Sequence, residues 1–118
     1  MKDMRDFIAK GEEVGLCKRI TAEVDWNLEL SHIAKLNEEQ SGPALLFENV
    51  KDYSTPVITS VCTTTQRLAL IMGLPLESTL VDLYVQWAKL GENLTPPKWV
   101  DTAPCKENIL TGDDIDLF

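Results

Sequence analysis

The residues that could do chemistry gather in one short run, VCTTTQR, Val61 to Arg67, where a strand pattern ends and a helix pattern begins. Backbone N–H groups at a helix start, with hydroxyls beside them, can hold a phosphate. Close approach of a phosphate needs a glycine-rich turn, and this run contains no glycine. A T-x-x-Q capping box, Thr63 with Gln66, accounts for the same residues without a ligand, so helix capping is the expected role. Cys62 beside that helix start could be an activated thiolate. A nucleophile needs a base, however, and His32, the sole histidine, falls on a helix of structural character. The expectation is a buried, inert Cys62 and a partly exposed His32.

Other polar groups read in the same way. Glu48 and Asn49 interrupt an apolar strand, but no second carboxylate has a spacing that would pair with Glu48 for acid–base work. Glu48 is expected to leave the sheet at its end and Asn49 to bond the following turn. Asp113, Asp114 and Asp116 lack the glycine and distal glutamate of a calcium loop and read as a solvated turn. Cys17, Cys62 and Cys105 are an odd, widely spaced set with no CxxC pair, which suits free thiols in a reducing compartment and offers no zinc spacing. Trp26, Tyr84 and Trp87 recur at helical spacing and read as core or interface. No catalytic, cofactor-binding or metal-binding residue is assigned on this chain.

Elements must position these groups. Asp3 caps a first helix carrying Met4, Phe7, Ile8 and Val14, and Gly15 stops it. LCKRITAEV alternates as a half-buried strand. Asp25 caps a second helix, Trp26 to about Gln40, with Trp26, Leu30, Ile33 and Leu36 as its apolar stripe. ALLFENV, apolar without alternation, suits a strand covered on both faces. Lys51 to Thr55 form a gap, and Pro56 starts the strand VITSVC. A third helix with Leu68, Ile71 and Met72 inward ends at Gly73 and Pro75. A fourth runs from about Ser78 to Leu90, with Leu80, Leu83, Tyr84 and Trp87 on one face, and Gly91 closes it. ENLTPPKWVDTAP is extended, CKENILTG alternates weakly as a strand, and DDIDLF ends the chain. The order gives an α/β fold, a small sheet with helices packed against it, with residues 1–92 as one domain and 93–118 as a linker and strand.

Composition limits the function classes. A chain of 118 residues with 44% hydrophobic content fits one modest core. Eleven basic against nineteen acidic side chains leave a net charge of −8, which disfavours nucleic acid and anionic lipid as partners. Apolar runs are far shorter than the roughly twenty residues that cross a bilayer, and the acidic N-terminal stretch does not fit a signal peptide. A cytoplasmic setting is expected.

Three segments carry a family resemblance: MRDFIAKGEEVGLCKRITAEVDWNLEL, GPALLFENVKDYSTPVITSVCTTTQRLALIMGL and APCKENILTGDDIDLF. Together they resemble the N-terminal domain of the UbiD-type decarboxylases, which use prenylated FMN to add or remove carboxylate on aromatic and unsaturated acids. The chain departs from that family at Trp26, where proline is common, and at Asp52, where glycine is common. Aspartate tolerates left-handed backbone better than most residues, so the turn is expected to survive.

The resemblance implies a division of labour. Losing CO2 from an aromatic or vinyl carbon leaves an electron pair without delocalisation, so a cofactor supplies the electron sink. In the family the flavin, its manganese and potassium ions and the glutamate–arginine–glutamate machinery belong to a split-barrel domain, and no family catalytic position maps onto this chain. The implied partners are the flavin-binding and C-terminal domains of a parent enzyme, which assembles as a homo-oligomer. PCKEN points by the same resemblance to phenolic or phenylacrylic acids. Two other readings stay open: a free-standing accessory or assembly subunit of a (de)carboxylase complex, and a small anion-binding module using the Cys62 to Arg67 turn.

Overall fold

A computed structural model describes residues 1–92 and 94–115. Helix α1, Met4–Glu13, begins where the Asp3 carboxylate accepts from the Asp6 N–H at 2.9 Å. It ends at Gly15, whose φ of 74° lets the Leu16 N–H reach back to the Gly11 carbonyl at 2.7 Å. Strand β1, Cys17–Ile20, leads through α2, Glu29–Glu39, into the parallel strand β2, Ala44–Phe47. Strand β3, Val57–Thr59, then pairs antiparallel with β2, completing a mixed sheet in the order β1-β2-β3. Helices α3, Thr65–Met72, and α4, Leu80–Glu92, follow.

The small α/β sheet with helices against it is thus as expected, and β2 is its centre. All four of its residues are buried, because each face of the sheet carries its own apolar cluster. Leu45 and Phe47 join Val24 and Val50 on one face, backed by Ile20 and by Leu30 and Ile33 of α2. Ala44 joins Phe7 and Cys17 on the other, backed by Ile58, Val61 and by Leu70 and Ile71 of α3. Gly11 lets α1 lie this close: a Cβ there would stand 2.9 Å from the Cys17 Cβ.

Several local expectations need correction. The ordered part of the LCKRITAEV strand is Cys17–Ile20, after which Val24 makes an isolated bridge to Val50. Helix α2 begins at Glu29, not Trp26, because Leu28 takes a left-handed φ of 70°. Asp25 instead organises the preceding turn: its carboxylate accepts from the Asn27 N–H at 2.8 Å, and its own N–H donates to Glu29 Oε2 at 2.7 Å. The α3 cap is Thr64, whose hydroxyl accepts from the Arg67 N–H, in place of Thr63. Gly91 lies inside α4, which runs on to Glu92. The segment 105–112 forms no strand; its neighbourhood holds short 3-10 turns at Pro104–Lys106 and Gly112–Asp114, since no neighbouring strand offers it a ladder.

Candidate functional site

Among the described residues, the turn between β3 and α3 brings hydroxyls, a thiol and a guanidinium together. Ser60 enters it with a left-handed φ of 62° and is buried. Arg67, from the first turn of α3, folds inward until only 1% of its surface is exposed. Its Nη1 donates to the Gly42 carbonyl at 2.7 Å, and its Nη2 donates to Thr63 Oγ1. The Thr63 hydroxyl in turn donates to the Ser60 carbonyl at 3.3 Å. Burial pulls the Arg67 guanidinium below its ordinary pKa, an effect opposed in part by Glu38. No carboxylate among the described residues stands within ion-pair distance of it.

This geometry is that of a clamp. Arg67 ties the head of α3 to the loop that leads into β2, which explains why Thr63 is taken from capping and Thr64 replaces it. Arg67 Nε, Thr59 Oγ1 and Ser60 Oγ are buried without a hydrogen-bond partner among the described residues. An anion arriving from solvent would meet neither the guanidinium, which faces the Gly42 carbonyl, nor a bare glycine backbone. Cys62, expected to be buried, is exposed at the rim of a shallow hollow of about 300 Å³ between the N-terminus and α3. Cys17 is the buried thiol, and desolvation pushes its pKa up. His32 is exposed on α2, far in sequence from the turn and with no hydrogen bond to it.

Glu48 has a definite task that the sequence left unassigned. Arg19 Nε and Nη2 donate to Glu12 Oε1 and Oε2 at 2.6 and 3.1 Å, while Arg19 Nη1 donates to Glu48 Oε1 at 2.5 Å. The guanidinium holds the Glu12 carboxyl below its usual range, and the two carboxylates raise the arginine above its own. This partly exposed triad staples α1, β1 and the end of β2. Asn49 acts through its carbonyl, which accepts from the Val24 N–H at 3.0 Å. The signal was present in alternation, since Arg19 shares a strand face with Cys17, next to α1.

Among the described residues Trp26, Tyr84 and Trp87 make no ring pair with one another. Trp26 stands edge-on to Tyr53 with ring centroids 6.2 Å apart, over a hollow of about 250 Å³ bounded also by Val50, Thr55 and Val57. Tyr84 and Trp87 lie on α4, exposed. Among the described residues no three His, Cys, Asp or Glu side chains converge to hold a metal ion, and no helix is long and apolar enough to cross a membrane. Asp116 lies outside the described residues. Among the described residues the carboxylates and thiols do not gather into a metal-ligand set, and the turn before α3 offers no glycine against which a phosphate could close.

Comparison with known proteins matches residues 8–85 to the 3-octaprenyl-4-hydroxybenzoate carboxy-lyase N-terminal domain. Among solved structures, the chain is similar to vanillic acid decarboxylase of Sedimentibacter hydroxybenzoicus in its closed form, at 30% identity and a TM-score of 0.77, covering 100% of this chain and 26% of that one. The open form gives 29% identity and 0.75 over 96% and 25%. The UbiD-class enzyme HmfF from Pelotomaculum thermopropionicum, in an evolved dimeric form in complex with prFMN, gives 31% identity and 0.59 over 81% and 21%. The chain thus spans about a quarter of the length of these relatives.

Proposed function

The chain belongs to the family of UbiD-type carboxy-lyase N-terminal domains, and from that premise we propose that it is the supporting domain of an enzyme that reversibly decarboxylates aromatic or unsaturated carboxylic acids with prenylated FMN. One observation carries this reading: the likeness runs through all of this chain yet only about a quarter of a decarboxylase. Residues 1–92 form the support and 93–118 lead toward a flavin-binding split barrel. The cofactor, its manganese and potassium ions and the catalytic side chains reside on that other part, a reading supported by two guanidinium groups here that are turned to internal partners. Arg67 serves the Gly42 carbonyl and Thr63, and Arg19 serves Glu12 and Glu48. The parent enzyme is cytoplasmic and homo-oligomeric, and phenolic or phenylacrylic acids are its substrate class.

The test is a decarboxylation assay on phenolic acids with prenylated FMN supplied. The 118 residues alone are expected to release no CO2, and the enzyme made from a reading frame that includes the flavin domain is expected to turn over. Robust turnover by the short chain would overturn the division of labour.

A further inference from the structure

Helix α4 is turned the wrong way for a helix that serves only this domain. At 3.6 residues per turn, Leu80, Tyr84, Trp87 and Gly91 share one face, with Val81 and Ala88 beside them, while Asp82, Gln86 and Lys89 lie opposite. The helix meets α3 through an edge of its apolar arc, so that Leu83 is 5% exposed and even Gln86 is half-buried. The centre of the arc faces outward: Leu80 is 69%, Tyr84 74% and Trp87 68% exposed. Trp87 and Leu90 also border an apolar hollow of about 420 Å³ that reaches Leu94. A Cβ built on Gly91 would meet nothing within 4 Å. Apolar surface of this extent marks an interaction site.

We propose that this outward face of α4 is the seat for the adjoining domain of the same enzyme, a folded surface with an apolar centre and a basic rim. The inference rests on the functional reading above, and two observations select this occupant. The relatives carry about three quarters of their length beyond what this chain matches, and the family match stops at residue 85, partway along α4. Tyr84 and Trp87 thus sit where the family model ends, just before the extended residues that follow α4. Charge argues against a second copy. The chain has a net charge of −8, and exposed Glu92 lies beside the outward face, so two such faces would set like charges together.

Hydroxyl-radical footprinting reads the proposal directly. Oxidation of Tyr84 and Trp87 is compared between the 118-residue chain and the enzyme made from a reading frame that includes the flavin domain. Several-fold slower oxidation of both in the longer protein is expected, with Trp26 and Tyr53 unchanged. Equal rates at Tyr84 and Trp87 would overturn it. Sedimentation of the short chain at rising concentration should show a monomer, whereas a dimer dispersed by Trp87→Glu would assign the face to a second copy and also overturn it. Bound flavin is measured by absorbance on the same enzyme preparation. Protection of α4 without flavin would sink the functional reading and spare the docking face, and flavin without protection would do the reverse.

Discussion

Strand β2 and helix α4 are both apolar in sequence, yet β2 is buried on two faces and α4 leaves most of its apolar arc in water. The strand sits between two clusters supplied by this chain itself, from α2 on one side and from α1 and α3 on the other. Among the described residues the helix leans chiefly on α3. Burial of an apolar side chain is worth about 1.5–3 kcal/mol, so β2 accounts for much of the stability of the domain, whereas α4 stabilises little beyond the contact at Leu83. An apolar pattern states that a face wants burial. It does not state which polypeptide supplies the cover.

Paired truncations should expose this difference most strongly. Phe47→Ala opens a cavity in a fully buried position between β1, β3 and α2 and should destabilise the chain by about 3–5 kcal/mol. Trp87→Ala removes a larger side chain from solvent and should change the same chemical denaturation midpoint little, within about 0.5 kcal/mol. Comparable losses from the two would mean that α4 is packed against its own domain, and the contrast would break.

The same contrast explains what the sequence could disclose. The unbroken apolar run of ALLFENV announces a strand covered on both faces, and glycines 15 and 73 announce helix stops that the structure takes at φ of 74° and 72°. Asp52 takes φ of 65° in the turn where the family commonly has glycine. Each of these is a local signal read by a local rule. The misreadings depend on distant partners. Leu28, an exposed leucine at left-handed φ, shortens α2 with no glycine to warn of it. Arg67 turns inward to a carbonyl 25 residues away, which moves the α3 cap by one residue and leaves Cys62 outside. Segment 105–112 has a weak alternation but no neighbouring strand. The candidate site was legible only as a place, because the direction of one arginine decided its chemistry.

Glycine substitutions give a smaller test with opposite signs in the two regions. A Cβ on Gly42 would fall 2.0 Å from Asn37 Oδ1 and 3.0 Å from the Asn37 carbonyl. Asn37 cannot retreat freely, since its Nδ2 donates to the Pro43 carbonyl at 2.8 Å. Gly42→Ala should therefore cost about 1–3 kcal/mol of stability. Gly91→Ala meets open space on a helix and should add up to about 1 kcal/mol. Calorimetry on both variants decides the matter, and destabilisation by Gly91→Ala would place a hidden neighbour over α4.

The smallest effect separates the two regions by the nature of their carboxylate partners. Glu12, on the body, is held below its ordinary 4.5 chiefly by the hydrogen bonds from Arg19. Asp82, at the head of α4, is held below 3.8 by the Thr79 hydroxyl and N–H, at 2.7 and 2.8 Å. In both cases the folded pKa lies below the unfolded one. The stability each contributes is present above the ordinary value and is lost as pH falls through the lowered one. Their salt responses should differ. The Glu12 partner is a charge, so raising ionic strength shortens the screening length and should move its carboxyl pKa back up toward 4.5. The Asp82 partners are neutral donors, and its pKa should hold still. Carboxyl carbon NMR titrations at low and high salt read both groups in one sample, and equal salt shifts would show that Asp82 also answers to a nearby cation.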